Sequence, residues 1–491
     1  MSARRVASLV LALALSACGS TSTDTTTSTA PAPPIANSRE NQGDRAIDEP
    51  PTAAAEAPRG EEPVGHAETG HAETEHAATE HDERPVETEH DEHEAVHEVG
   101  GEAAGDEVAH APTDAEPTTE LDAQLETDVI VAIDTHADTT QRLLDEHADL
   151  STRLSDGHLD LPRMREGGLT AVFLSIWVDP RRYRGEAAWD RSRALVAAVR
   201  AFVAAHPDEV VLATTAAEVR AAAAQHRIAF LMGLEGAHGL GEAEPAVLLS
   251  RLDELAASGV RYVTITWTND NVFGHASTGA HPGRGLTDAG RELVAHMNAL
   301  GVIVDVSHVS DRTALDAIEV SRAPVLASHS GARAIGDHPR NLPDAILRRI
   351  AETHGAVCLN YYVQFLDPAY GQARRALERE HRAEFDALPD GRSWTTSAAR
   401  NALARQLAPE LHPPTLRTLG EHMAHVAQLA PEAPCLGSDF DGIGELPRGM
   451  DDVSDLPALR REVERRHLDW RAVAGGNVLR VMESVERIAT Q

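Results

Sequence analysis

Eight short apolar runs rich in β-branched residues, separated by amphipathic helical patterns, predict a (β/α)8 barrel of the TIM type. Metal-type side chains stand where several of these runs stop. VIVAIDTHAD ends in His136 and Asp138, IAFLMGLEG in Glu235, VIVDVSH in His308 and PVLASHS in His329. The turn after the first run, Thr135-His136-Ala137-Asp138, lacks the glycines that an open nucleotide-binding sheet needs there, which favours the closed barrel.

In chain order the candidate strands are VIVAID (129–134), LTAVFLSIW (169–177), IAFLMGLE (228–235) and VRYVTITW (260–267). They continue with VIVDVSH (302–308), PVLASHS (324–330), GAVCLNY (355–361) and PCLGSDF (434–440). Continuous apolar runs of this length suit parallel strands buried on both faces. Helical periodicity falls at 187–205, 245–257, 286–300, 311–320 and 342–353, with terminal helices near 457–467 and 470–488. A long helical excursion, 367–430, precedes the eighth strand, and a connection of that length suits a lid or an interface element.

The chain has 491 residues and a formal net charge of −34. Arg4 and Arg5 precede an apolar run, Val6 to Leu15, and then Leu15-Ser16-Ala17-Cys18, a run too short for a permanent membrane span. The pattern resembles a bacterial lipoprotein signal. The resemblance implies removal of the leader 1–18 with Cys18 lipidated, hence a lipid-anchored protein of the cell envelope. The alternative is an ordinary secretory signal in which Cys18 is incidental. Gly19 and Ser20 provide no inner-membrane-retaining Asp, which favours the outer membrane or periplasmic face.

Residues 19–126 contain 28 acidic side chains against four arginines and almost no aromatics. Such a stretch cannot bury enough apolar surface to offset its ordering entropy and reads as a disordered acidic tether ahead of a domain at 127–491. Its acidity argues against a nucleic-acid partner. Within it His66, His71, His76 and His81 recur every five residues, with His90, His93 and His97 beyond. The repeat fits weak zinc capture or a plain solvated spacer. Cys358 and Cys435 lie in apolar strand-like runs and read as buried free thiols, with a disulfide open only if the two strands are neighbours.

His136 and Asp138 fall on one side of a strand by the period-two rule. A second His-x-Asp, His158 and Asp160, follows a polar stretch and reads as loop. Together with Glu235, His308 and His329 the donors exceed the three protein ligands of a typical mononuclear catalytic zinc, and suit two metals sharing a carboxylate. The chain has no lysine among its 44 basic residues, so a carbamylated lysine cannot be the bridge and Glu235 is the candidate. Asp439, at the end of the eighth strand, is the candidate proton shuttle, with Asp441 pointing the same way by alternation. Arg340, in HPRNLPD, suits a bidentate clamp on a substrate carboxylate.

The order DTHAD, LEGAH, GLTDAG, MNALGVIVDVSHVS, APVLASHS, HPRNLPD, LGSDFDG and GGNVLRV resembles the renal (membrane) dipeptidases and their bacterial relatives over 129–491. The resemblance implies a barrel with two zinc ions that hydrolyses dipeptides, often with a D-residue on the C-terminal side, in a family that tends toward dimers. It implies His136 and Asp138 on one zinc, His308 and His329 on the other and Glu235 between them. It further implies Asp439 as proton shuttle and Arg340 on the substrate's carboxylate. One position departs: where the family has a histidine that contacts substrate, this chain has Trp267, which donates one hydrogen bond and cannot become cationic. Trp267 and Asn269 then become substrate-binding candidates, and oxyanion stabilisation falls to the metals, Asn269 or His275. The alternative function keeps the two metals and hydrolyses another amide, a lactam or a lactone.

Overall fold

The computed structural model describes residues 129–388 and 394–490. The leader, Cys18 and the acidic His-rich tether lie outside the described residues. Strands β1 (Ile133–Ala137), β2 (Ala171–Trp177), β3 (Val210–Leu212), β4 (Ile228–Glu235) and β5 (Val260–Thr264) are followed by β6 (Ile303–Asp305), β7 (Leu326–Ser330), β8 (Ala356–Leu359) and β9 (Pro434–Leu436). All pairings are parallel, in the order β2-β1-β9-β8-β7-β6-β5-β4. Pairing of β2 with β4, from Ala171↔Ala229 to Trp177↔Glu235, closes the ring. The eight-stranded barrel is as expected, and β3 is an extra short strand paired to the N-terminal half of β4.

Helices Glu186–Ala205, Pro245–Ala257, Asp288–Leu300, Asp311–Val320 and Asp344–Glu352 cover the outside close to the expected limits. Helix starts are built locally: Thr287 and Ser310 each accept a backbone N–H from the first turn of the helix they precede, as Thr215 does for a further helix, Ala216–Ala224. The excursion before β9 is helical, with Pro368–Glu380, Trp394–Leu407 and Leu416–Leu429 its longest parts. No helix among the described residues is long and apolar enough to cross a membrane.

Ile133, Phe173, Leu231, Tyr262, Ile303 and Leu326 pack inside the barrel, closed at its base by Val478, Leu479 and Met482. Along β4 simple alternation carries Ala229, Leu231, Gly233 and Glu235 to that face. Gly233 has a steric cause, because a Cβ there would stand 2.0 Å from the Tyr262 ring. Cys358 and Cys435, paired in register across β8 and β9, form a disulfide rather than the expected free thiols. The strands are neighbours, so the one arrangement that permits the bond is the one the barrel adopts.

Candidate metal centre

Two irregularities aim the site. Between Asp134 and Ala137, β1 has one residue more than β2 opposite, and between Ala327 and Ser330, β7 has one more than β8. Such bulges break alternation and re-aim a side chain. Ile133 and Leu326 face inward, so strict alternation would send His136 and His329 outward, and the extra residue turns each imidazole toward the barrel mouth. Their rings stack with centroids 3.8 Å apart. His308 follows β6 with φ of 65°, a left-handed backbone rare for a non-glycine residue.

The Glu235 carboxylate lies between two donor sets. Its Oε2 is 3.5 Å from His136 Nε2, while its Oε1 is 3.0 Å from His308 Nε2 and 3.5 Å from His329 Nε2. His136 Nε2 is also 3.9 Å from Asp138 Oδ2 and 4.0 Å from Asp439 Oδ1. Donors bound to one zinc at about 2.0–2.2 Å stand roughly 3–4 Å from each other, which is this spacing. His136 Nε2 and Asp138 Oδ1 are buried with no hydrogen-bond partner among the described residues. Burial pushes the His136 imidazole down, but Glu235, Asp138 and Asp439 outweigh it and hold it up to about 10. Positive charge is therefore strongly favoured at this point, and the imidazole and carboxylate donors fit a divalent metal of the zinc class.

A further layer of residues, missed from sequence, fixes the donors. Tyr262 Oη is 2.7 Å from His136 Nδ1, and Ser175 Oγ donates to Glu235 Oε2. Ser328 Oγ lies 2.8 Å from His329 Nδ1 and donates to Asp305. Contacts of this kind orient metal ligands. Apart from the apolar strand context, no local motif distinguishes these residues. Burial pushes His308 down to about 3, with Arg340 acting the same way, and lowers His329 well below its usual range. Both imidazoles are thus neutral donors.

Asp439 and Asp441 diverge, against the expected alternation. β9 ends at Leu436, and both aspartates adopt positive φ, 64° and 62°. Asp439 turns toward His136, and its Oδ2 accepts from Asn360 Nδ2 at 2.9 Å. Asp441 turns to Thr139 Oγ1 and to the backbone N–H of His158. Burial, then Glu235, raises the Asp439 carboxyl above its usual range, against His136, Asn360 and Arg340. The second His-x-Asp lies in a loop, as expected, and that loop is buried: Asp160 caps helix Leu161–Gly167 and pairs with Arg163.

A cavity of about 630 Å³ opens above these groups, lined among others by Asp138, Trp177, Glu235, Trp267, His308, Arg340, Tyr362 and Asp439. Arg340 is only 4% exposed and stacks over Phe365 at 5.3 Å. Its Nη2 donates to the His329 carbonyl, while Nε and Nη1 are buried without partners among the described residues. Burial lowers its guanidinium to about 10. Trp267 stands edge-on to Trp177 at 5.0 Å and 6.2 Å from the His308 ring. Asn269 lines a neighbouring cavity of about 390 Å³ instead. His275 does not line the main cavity, and its Nδ1 donates to the Gly285 carbonyl.

The family model "Membrane dipeptidase (Peptidase family M19)" matches residues 123–491. The dipeptidase aclJ of Aspergillus oryzae is 33% identical over 340 residues, 67% of this chain and 70% of that protein. An uncharacterized dipeptidase of Schizosaccharomyces pombe is 31% identical over 341 residues, 66% of this chain and 72% of that one. Among solved structures, the metallopeptidase dipeptidase AC has a TM-score of 0.59 and 27% identity, covering 73% of this chain and 99% of its own. A metallopeptidase from Rhodobacter sphaeroides, liganded with a phosphinate mimic of the dipeptide L-Ala-D-Ala, has a TM-score of 0.58 and 28% identity, covering 73% and 100%. The chain belongs to the membrane dipeptidase family, peptidase family M19, and is a metallo-dipeptidase.

Proposed function

We propose that this metallo-dipeptidase works with two zinc ions, one held by His136 and Asp138, the other by His308 and His329, with Glu235 shared between them. The observation that carries the reading is the division of the Glu235 carboxylate, Oε2 toward His136 and Oε1 toward His308 and His329. Bound there, a zinc pair supplies Lewis acidity to polarise the scissile carbonyl and make water nucleophilic at neutral pH.

The chain's own groups do the rest. Asp439 Oδ2 is engaged by Asn360, which leaves Oδ1 to take a proton and return it to the leaving amine. A carboxyl pushed upward by burial holds that proton more readily near neutral pH than a solvated one. Arg340 offers Nε and Nη1 to the substrate's C-terminal carboxylate at a fixed distance from the scissile bond. Trp177 and Trp267 form an apolar wall that excludes water, with the indole of Trp267 as the single donor where the family has an imidazole. The L-Ala-D-Ala mimic on the Rhodobacter sphaeroides relative favours acceptance of a D-residue at the C-terminal side.

The protein is proposed to reside in the cell envelope, anchored through lipid on Cys18, with 19–126 as tether and 127–491 as catalytic domain. The Cys358–Cys435 disulfide supports an oxidising compartment. A panel of dipeptides including L-D pairs, run with metal-stripped and zinc-restored enzyme, tests the proposal. Zinc-dependent cleavage that includes L-D substrates is expected, and restoration by other divalent ions but not by zinc contradicts it.

A further inference from the structure

The connection between β5 and helix Asp288–Leu300 gathers a second set of metal-type donors that the catalytic reading leaves unused. One ligand atom each from Asp270, His275 and His281 lie within 4.8 Å of one another. None of the three lines the Glu235 cavity. His275 is prepared as a ligand: its Nδ1 donates to the Gly285 carbonyl at 2.8 Å, which fixes the tautomer and puts the ring's lone pair on Nε2. Asp270 is held in place by two backbone donors, Ala276 N–H at 2.9 Å and His281 N–H at 3.0 Å. Its Oδ2 is 2.9 Å from His281 Nδ1, and the two imidazole rings are nearly perpendicular, at 86°. Gly279 leaves room for the carboxylate, since a Cβ there would stand 2.1 Å from Asp270 Oδ1.

We propose that Asp270, His275 and His281 form a further divalent-cation site, of the zinc class, outside the catalytic pair. Two imidazoles and a carboxylate make a three-ligand set that water completes. The His281 side chain is 53% exposed, so it can close the last distance at little cost in packing. The loop it would clamp is joined to the catalytic site through backbone. Ser277 N–H donates to the His308 carbonyl and Ser310 N–H to the His275 carbonyl, both at 2.8 Å, beside the Ala276–Val309 bridge. The same loop supplies Trp267 and Thr278 to the cavity wall. The cation therefore acts as a clip, stiffening the wall behind His308.

The test is metal content of the full-length protein after equilibrium dialysis at micromolar zinc, for wild type, His281→Ala and His275→Ala. Any zinc taken up by the histidines of the tether is common to all three proteins and cancels. Each variant is expected to retain one equivalent fewer than wild type. Zinc is also expected to slow amide exchange over 268–281 in wild type but not in His281→Ala. Equal zinc content in the three proteins overturns the site and leaves an Asp270–His281 hydrogen bond as its whole content. His281 is exposed, so His281→Ala keeps the fold and the comparison.

Discussion

His158 and Asp441 are bound to each other twice. The Asp441 backbone N–H donates to His158 Nδ1 at 2.9 Å, and the His158 backbone N–H donates to Asp441 Oδ1 at 2.7 Å. The pair fastens a turn in which Asp439 and Asp441 both have positive φ, a conformation that costs on the order of 1–3 kcal/mol per residue and persists only where its surroundings hold it. His158 is thus a positioning residue for Asp439.

Replacing His158 with alanine frees that turn. We expect kcat to fall about 10- to 100-fold, the scale of a misplaced general acid–base group, with KM and zinc content retained. His158→Asn, whose Oδ1 can accept the same N–H, is expected to recover much of the loss. Equal kcat for wild type and His158→Ala contradicts the role.

Arg340, which lines the cavity, has two buried nitrogens, Nε and Nη1, without a partner among the described residues. Truncating one side of a buried charge pair costs about 2–5 kcal/mol. Arg340→Met is therefore expected to lower kcat/KM for dipeptides by roughly a hundredfold or more. Dipeptide amides, which lack the carboxylate, are expected to lose little. Equal losses for both substrate classes would remove the clamp.

Buried neutral histidines set an acid limit on stability. His422 accepts the Ala332 N–H at Nδ1 and donates from Nε2 to the Leu366 carbonyl, so both ring atoms are satisfied only in the neutral form. Burial lowers His422 to about 4 and His158 well below its usual range. The sign follows from the unfolded chain: below pH about 6.5 it takes up protons that the folded chain refuses, so stability falls as pH falls. Each such histidine contributes about 1.4 kcal/mol per pH unit between its unfolded and folded values. Urea midpoints between pH 7 and 5 check this, with a shallower decline expected for His422→Gln.

The Cys358–Cys435 bond closes a loop of sequence separation 77. Chain-entropy arguments assign a loop of that size about 4 kcal/mol. Cys358→Ala/Cys435→Ala is expected to lower the urea midpoint accordingly while leaving KM unchanged. An unaltered midpoint would show the bond to be energetically idle.

Legibility in the sequence followed physical simplicity. Continuous apolar runs exposed the strands, and Glu235 reached the barrel interior by plain alternation. His136 and His329 were recognisable by position, but the inward turn of their rings depends on bulges that no period-two count reveals. Asp439 and Asp441 were inseparable in sequence because their divergence arises from left-handed backbone beyond the strand. Tyr262, Ser175 and Ser328 looked like ordinary strand residues, since their contacts to the donors exist only once the barrel closes. The disulfide was hidden likewise, because it depends on β8 and β9 being adjacent and in register.

Glu235 is proposed to join two cations. The most direct measurement is anomalous scattering at the zinc edge from crystals of zinc-restored protein, in wild type and in Glu235→Gln. Two peaks are expected in wild type, one between Glu235 and His136 and one between Glu235 and His308, with both weakened together in the variant. A single peak in wild type, or two peaks untouched by the loss of the carboxylate, would contradict it.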